Sequence, residues 1–247
     1  ALEANGGLPD LARVVFANTG KEDPATLDFV RDCGRTWGVP IDWLEYRADG
    51  EGWALVNYGT ASRNGEPFAA LVQKRNYLPN PVARFCTVEL KILTMERYLR
   101  ALGWADWTNM VGVRADEPRR VAKMRADPKG GRGSGSRVLP LADAGVTAAD
   151  VGAFWRAQPF DLGLPNMNGV TMHGNCDLCF LKGAAQILSL IAEKPERAIW
   201  WAEIENLGLA SKPSGANFRT DRPNYTQMLK FTQEQRDMFD PNEETIS

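Results

Sequence analysis

Long apolar runs are missing from this chain of 247 residues. No stretch approaches the roughly 18 consecutive apolar residues that a membrane-spanning helix needs, and the start of the chain has no secretory leader. An excess of charge of one sign is also missing, because 29 basic and 31 acidic side chains leave a net charge of −2. We therefore expect a cytoplasmic protein with no membrane partner, whose contacts with nucleic acid, if it makes any, come from a local basic patch.

Cysteine and histidine are rare, with four cysteines and a single histidine in the chain. Four cysteines are too few for a disulfide scaffold of this length, so the sequence favours a reducing compartment, where Cys-x-x-Cys motifs bind metals or carry out redox chemistry. Apolar residues make up 44% of the chain, which is enough for one core, alone or with a small appendage.

Three of the cysteines lie in two short basic segments. Cys86 stands in one segment, and Cys176 and Cys179 form a Cys-x-x-Cys in the other. Three thiolates are one ligand short of a tetrahedral zinc site or a cubane cluster. His173 is a candidate for the fourth ligand. The pattern leaves four interpretations open: an iron–sulfur cluster, a Cys₃His zinc site, a redox disulfide and unligated core thiols.

Basic side chains flank these cysteines, and we expect them to give electrostatic support. They are Arg84, Lys91 and Lys182. Positive charges at these positions offset the negative charge of a cluster and lower the pKa of nearby thiols. The remaining cysteine, Cys33, is predicted to be a core residue on the inward face of a helix.

The first 110 residues alternate between strand and helix patterns. Strands are predicted at 13–17, 41–46 and 108–113, and helices at 24–37 and from 85 to a stop at Gly103. This alternation is typical of a parallel α/β sheet. In such sheets ligands bind at the carboxyl ends of the strands. Glu22 and Glu117 follow two of these strand ends and are predicted to be solvated.

The second half of the sequence is predicted to be helical. Thr147 and Asp150 have the spacing of a helix capping box, further helices are predicted at 184–192 and 198–207, and another begins near Tyr225. The adjacent Trp200 and Trp201 cannot both face the core, so one of them is expected at an interface. The predicted organisation is an α/β core at 1–124, a flexible Gly/Ser/Arg-rich loop at 125–137 and a helical part at 138–247 packed on the core as one structural domain.

Four segments, taken together and in order, resemble a known family. They are Val15-Phe-Ala-Asn-Thr-Gly-Lys-Glu22, the Cys-Thr-x-x-Leu-Lys segment from Cys86, Gly112-Val-Arg-Ala-Asp-Glu-Pro-Arg119 and the late Cys-x-x-Cys. In this combination the chain is similar to phosphoadenosine-phosphosulfate (PAPS) reductase-like proteins of bacteria and phages. These belong to the adenine nucleotide α-hydrolase, or PP-loop, superfamily. A more distant similarity is to the sulfur-insertion enzymes of DNA phosphorothioation.

The resemblance implies a Rossmann-like (HUP/PP-loop) parallel sheet flanked by helices, with a helical C-terminal appendage that carries the cysteine site. It implies that ATP or a PAPS-type adenine nucleotide binds at the strand ends, and that the cysteines hold a 4Fe–4S cluster. The implied nucleotide- and substrate-binding residues are Asn18, Thr19, Gly20, Gly112, Arg114, Arg119 and Arg120. Planar guanidinium groups suit this role because they bind phosphate or sulfate oxygens in pairs.

The chain departs from the family pattern in three places. The family's phosphate-binding Ser-Gly-Gly-x-x-Ser loop is not present, since Asn5-Gly-Gly-Leu-Pro9 lacks both serines. Either that loop lies upstream of Ala1 in the natural protein, which the missing initiator Met favours, or the chain has lost the ability to bind pyrophosphate. This sequence has no Cys near its end where the thioredoxin-dependent reductases carry a catalytic one, which argues against sulfonucleotide reduction unless the tail too is incomplete. Phe85-Cys86 replaces two adjacent cysteines. With Cys86, Cys176 and Cys179 as ligands, one iron of a cluster is left without a cysteine.

Two classes of function remain from the sequence. The first is an enzyme of sulfur metabolism that transfers sulfur or reduces a sulfonucleotide, with no catalytic residue assigned. The second is a non-catalytic nucleotide-sensing or structural-metal component of a DNA-modification or phage-defence assembly. The sequence leaves open a nucleic-acid or protein partner, a homodimer and the identity of the sulfur acceptor.

Overall fold

The structure, a computed structural model, describes residues 6–128, 135–166, 171–207 and 217–237, the last with side chains up to residue 235. It is a mixed α/β fold with a small sheet flanked by helices. Part of the predicted flexible loop, 129–134, lies outside the described residues. Throughout the described ranges, no helix combines the length and the apolar character required to cross a membrane.

The described elements follow one another in the order strand, helix, strand at the start and are helical near the end. The strands are β1 (Val14–Asn18), β2 (Ile41–Tyr46), β3 (Trp53–Val56), β4 (Thr108–Met110) and β5 (Ser136–Val138). The helices are α1 (Pro24–Thr36), α2 (Glu66–Arg75), α3 (Phe85–Thr87), α4 (Thr94–Ala101), α5 (Pro118–Ala126), α6 (Pro140–Asp143), α7 (Ala148–Arg156), α8 (Ala184–Glu193), α9 (Glu196–Glu205) and α10 (Tyr225–Asp237). A π-helical turn, Val88–Leu93, joins α3 to α4.

The described strands form two small sheets. In the first, β1 and β2 are parallel and β3 pairs antiparallel with β2. In the second, β4 and β5 are parallel. The predicted parallel pairing is therefore confirmed for β1 and β2, whereas β3 departs from it because a short hairpin returns the chain beside β2. The strand predicted at 108–113 is shorter than expected and ends at Met110.

Successive side chains of β2 point to opposite faces of the sheet, and each face is covered by a helix. Trp43 packs with Leu27 of α1 on one face. Leu44 packs with Tyr98 and Leu99 of α4 on the other. Because side chains alternate along a strand, the mainly apolar sequence of β2 supplies both contacts. The carboxyl ends of β1 and β2 are thereby held at one edge, with Asn18 opposite Glu45.

The main hydrophobic core contains residues from both halves of the chain. Phe68 and Leu71 of α2 lie in the same cluster as Leu178 and Trp201. Trp201 is fully buried, whereas Trp200 is only partly buried at the edge of this cluster. The two tryptophans therefore face different surroundings, as their adjacency on one helix predicted. Cys33, expected in the core, is instead only partly buried, because α1 places Leu27 rather than Cys33 in its buried contact.

The helix predicted to run from residue 85 to Gly103 is interrupted by the π-helical turn. Within that turn Glu89 and Leu90 are buried, and the Thr94 hydroxyl donates a hydrogen bond to the Glu89 carbonyl at 2.7 Å. The sequence pattern predicts a helix but not this insertion, because the apolar residues within the segment before the π turn and within the segment after it each keep helical spacing. Single π turns occur often at functional sites.

Candidate functional site

Three segments that are distant in sequence meet next to the carboxyl end of β1. They are the turn 18–23, the helix start that carries Cys86, and the loop 173–182 that carries Cys-x-x-Cys. The loop lies against the turn as a short antiparallel bridge between Glu22 and Cys176, and the Asp177 N–H donates to the Lys21 carbonyl at 2.7 Å. Main-chain hydrogen bonding thus joins the turn to the Cys-x-x-Cys loop.

Buried ion pairs reinforce this junction. Lys21 Nζ lies 3.1 Å from Asp177 Oδ2, and Arg197 of α9 lies 2.7 Å from Asp23. The Trp201 indole N–H donates to Asp177 at 2.8 Å. Since buried charges are strongly destabilising unless they are paired and hydrogen-bonded, these pairs fix the loop in one position relative to β1.

The three cysteines Cys86, Cys176 and Cys179, which we call the cysteine site, influence one another electrostatically. Burial raises the pKa of the Cys176 thiol above its ordinary value, and the charges of Glu22 and Cys179 raise it further. Burial also raises the pKa of Cys86, again with a contribution from Cys179. The Thr19 hydroxyl lies 3.7 Å from the Cys176 sulfur. The fold therefore gathers thiols from both predicted segments around Cys179.

The flanking basic residues do not lower these pKa values overall, contrary to the expectation from the sequence. Lys91 and Arg84 act in the expected direction on Cys176 and Cys86 respectively, but burial has the larger effect on each thiol. Lys182 is itself buried, and burial lowers its pKa below the ordinary value. It donates to the carbonyls of Met172 and Gly174 at 2.6 and 2.5 Å, so it also shapes the loop.

The donor set of the cysteine site has the chemistry of a metal or cluster site, but its geometry is incomplete. Within the described ranges, no three His, Cys, Asp or Glu side chains are arranged to hold a metal ion. His173 is buried with Nε2 facing Glu193 Oε2 at 3.4 Å, and its Nδ1 has no hydrogen-bond partner. A coordinated thiol loses its proton outright, so the raised thiol pKa values describe the metal-free form.

Asn18, Thr19 and Gly20 are buried, and their polar groups shape the turn itself. Asn18 Nδ2 donates to Glu45 and to the Ser62 carbonyl, each at 2.8 Å, while its Oδ1 accepts from the Gly20 N–H at 3.1 Å. The Thr19 hydroxyl donates to Glu22 at 2.8 Å. Sequence reasoning missed Glu45, although a carboxylate next to the apolar residues Trp43 and Leu44 of a strand is itself a signal.

Glu22 is also buried, which corrects the expectation that it is solvated. One of its oxygens accepts from Thr19, while the other, Oε1, lies 3.5 Å from Lys91 Nζ without a hydrogen-bond partner. The ion pair with Lys91, a residue of the π-helical turn, holds the Glu22 carboxylate next to Cys176. The result is a buried carboxylate (Glu22), an ammonium group (Lys91) and a partly buried thiol (Cys176) at one strand end.

The Arg114 loop is organised by its own acidic residues. Arg114 Nε donates to Asp116 at 2.9 Å and its N–H donates to Glu117 at 3.1 Å, and Arg120 is ion-paired with Glu117. Gly112 and Arg119 are exposed. Among the described residues, no hydrogen bond or ion pair joins this loop to the cysteine site. The residues that the sequence predicts for the site therefore fall into two separate groups, the Arg114 loop and the cysteine site.

The beginning of α10 holds the Cys-x-x-Cys loop from the other side. The Tyr225 hydroxyl donates to the Leu178 carbonyl at 2.5 Å, and Arg222 donates to the Lys182 carbonyl at 2.6 Å. Glu205 accepts from the Tyr225 N–H at 2.7 Å, which links α9 to the same position. Sequence reasoning placed a helix here but assigned no role to Arg222 or Tyr225.

Comparison with known proteins finds a relative in Escherichia phage lambda, the uncharacterized nin region protein ORF290. The two are 32% identical over 183 residues, which cover 70% of this chain and 57% of the relative. The chain thus spans less than two thirds of the length of the relative. No family model matches the chain, and no solved structure matches it. Fold and site define a mixed α/β protein with partly buried thiols at a strand end.

Proposed function

We propose that this chain is a PAPS reductase-like member of the PP-loop superfamily, an adenine-nucleotide-binding enzyme of sulfur metabolism that depends on a 4Fe–4S cluster. The observation that supports the proposal is that Cys86 and Cys176 each interact electrostatically with Cys179 beside the carboxyl end of β1. Parallel α/β sheets bind ligands at this edge. The parallel β1–β2 pair, covered on both faces by helices, is compatible with a Rossmann-like sheet.

In this proposal Cys86, Cys176 and Cys179 hold the cluster. When bound, the cluster supplies an iron without a cysteine ligand, at which sulfur can be held for transfer. Lys91 and Lys182 offset the negative charge of the thiolates, and the partial burial of the thiols limits their contact with water. The Asn18–Gly20 turn presents the strand end to the nucleotide, and Arg114, Arg119 and Arg120 bind its phosphate or sulfate.

A non-catalytic role is the second candidate, and one observation favours it. The side-chain hydrogen-bonding groups of Asn18 and Thr19 are engaged by Glu45, by the Ser62 carbonyl and by groups of the turn itself, so they serve structure rather than a ligand. In that case the thiols hold a structural metal, zinc among them, in a nucleotide-sensing component of a DNA-modification or phage-defence assembly.

The cluster is tested by purifying the protein without oxygen and measuring iron, sulfide, zinc and visible absorption. We expect a brown protein with iron and sulfide in equal amounts. Cys176→Ser should lose both and should also lower the melting temperature of the cluster-bearing protein, because ligand binding contributes to folding. Cys33→Ser is the matched control and should keep wild-type iron content. A colourless protein with stoichiometric zinc would favour the second candidate.

The nucleotide is tested by calorimetry with ATP and PAPS on the same preparation. Arg114→Ala should weaken nucleotide binding about ten- to hundredfold, as expected when a charged hydrogen bond worth about 1.5–3 kcal/mol is lost, without changing iron content. Arg125→Ala removes an exposed arginine that pairs with Asp143 and should bind as the wild type does. Equal binding by wild type and Arg114→Ala contradicts the assigned role of the Arg114 loop.

A further inference from the structure

A polar cavity of about 450 Å³ lies beyond the carboxyl end of β2. Its walls come from the β2–β3 hairpin, the last turn of α2 and the helix that contains the π turn. The lining residues used below are Tyr46, Leu71, Lys74, Arg75, Glu89 and Arg97. The cavity contains none of the cysteines and none of the Arg114 loop, so it is distinct from both parts of the site described above.

Cations outnumber carboxylates by one among the residues that line this cavity. The cations are Arg47, Lys74, Arg75 and Arg97, and the carboxylates are Asp49, Glu51 and Glu89. Glu89 is shared by Arg75 and by Arg97, whose Nη2 lies 3.2 Å from Glu89 Oε2. Lys74 donates to the Ala48 carbonyl at 2.5 Å. Asp49 and Glu51 lie on the exposed hairpin turn, and Lys74 and Arg75 are exposed as well.

One donor on this wall is buried without an acceptor. Arg97 Nη1 has no hydrogen-bond partner. Tyr46 lines the same wall, but its hydroxyl is not among the buried polar atoms left without a partner. Buried polar groups are nearly always satisfied, so the unsatisfied guanidinium N–H of Arg97 indicates an acceptor that comes from outside the chain.

The backbone is adapted to keep Arg97 at this position. Gly52 has a φ of +77°, and a Cβ there would lie 3.1 Å from Cδ of Arg97. The π turn buries Glu89, where its carboxylate meets Arg97 eight residues further on. A glycine in the hairpin and a π insertion in the helix thus both serve the placement of one guanidinium.

We infer that this cavity binds a phosphate monoester. The phosphoryl oxygens accept hydrogen bonds from Arg97, Arg75 and the Tyr46 hydroxyl, since guanidinium forks bind phosphate oxygens in pairs. The cavity falls in the range of about 300–1,000 Å³ that is usual for small organic ligands, so the ligand carries an organic part, which lies against Leu71 and the hairpin. Two guanidinium groups that meet at one wall, Arg75 and Arg97, match a doubly charged head group better than a carboxylate.

Calorimetry on the full chain tests this inference, with ribose 5-phosphate, inorganic phosphate and acetate as probes at one ionic strength. We expect saturable binding of ribose 5-phosphate, weaker binding of inorganic phosphate and none of acetate. Arg97→Gln and Tyr46→Phe should each weaken ribose 5-phosphate binding, the former by about tenfold or more because a charged donor is lost. Arg100→Gln, one turn further along α4, is the control and should bind normally.

Three results would overturn the inference. They are no saturable binding by the wild type, equal binding by Arg97→Gln, and loss of binding in Arg114→Ala, which would move the site to the other loop. Circular dichroism checks that each variant folds. If Arg97→Gln unfolds, it is replaced by Arg97→Lys, which keeps the positive charge but not the paired N–H donors of the guanidinium group. Cys176→Ser should retain ribose 5-phosphate binding, so failure of the cluster proposal and failure of this one are separable.

Discussion

Among the described glycines, Gly65 leaves the least room for a side chain. It has a φ of +82°, and a Cβ there would lie 2.5 Å from Cε2 and Cζ2 of Trp200 and 2.8 Å from Cδ of Lys21. The Lys21 ammonium in turn lies over the Trp200 ring, 4.7 Å from its centroid, in a cation–π contact. Both the backbone conformation and the space available therefore require glycine at the start of α2.

Gly65→Ala should lower the free energy of unfolding by about 3 kcal/mol, which combines a left-handed backbone with overpacking against an indole. Gly38 is the matched control, because its φ is +60° but nothing lies within 4 Å of a Cβ there. Gly38→Ala should cost only about 1 kcal/mol, the backbone cost alone. Urea unfolding followed by tryptophan fluorescence measures both, and equal losses would show that the contact with Trp200 is unimportant.

At the scale of elements, α7 begins with the capping box that the sequence predicts. The Thr147 hydroxyl and N–H both donate to Asp150 Oδ2, at 2.6 and 2.8 Å. These hydrogen bonds favour the charged carboxylate and hold the pKa of Asp150 below its ordinary value. A depressed pKa in the folded state means that the stabilisation is present above the unfolded pKa, near 4, and is lost as the pH falls through the folded value.

Asp150→Asn should therefore lower the melting temperature at pH 7, and the difference from wild type should shrink as the pH falls below about 4. Thermal unfolding followed by circular dichroism across this pH range gives the measurement. Asp106→Asn, at another exposed position, should leave the melting temperature unchanged at each pH. A difference for Asp150→Asn that is independent of pH would mean that the charge of Asp150 plays no part.

Elements with their own start signals could be predicted from the sequence, and others could not. Pro24 marks the first turn of α1, and Asp23 caps it. By contrast, α2 has Pro67 in its first turn but follows Gly65, which provides no side-chain cap, and β3 follows a glycine-containing turn; neither was predicted. The helix boundaries at α8 and α9 agree with their apolar spacing to within about two residues.

The candidate site was predictable as a set of residues but not as an arrangement. Cys176 and Cys179 stand out by their spacing alone, yet no local pattern places them against Glu22. Likewise, nothing in the sequence predicts that the Asn18 side-chain amide donates a hydrogen bond to Glu45, or that Arg114 pairs with Asp116. These contacts depend on tertiary packing, which periodicity does not encode.

At the scale of the whole molecule, the C-terminal helix and the Cys-x-x-Cys loop depend on each other. Tyr225→Phe should lower the free energy of unfolding by about 1–2 kcal/mol, since the Leu178 carbonyl loses its donor in a buried position. Lys230→Ala, on the exposed side of α10, should have little effect. Chemical unfolding measures both variants, and equal values would show that the hydrogen bond to Leu178 contributes nothing.

The ion pair between Arg197 and Asp23 spans 174 positions of the chain, and this separation has a consequence for synthesis. At about 5–20 residues per second on a ribosome, roughly 10 to 35 seconds pass between the appearance of Asp23 and that of its partner. During this time Asp23, in the turn after β1, does not yet have Arg197 as its partner. Assembly around the thiols therefore cannot be completed until the Cys-x-x-Cys loop and α9 have been made and have docked on the turn after β1.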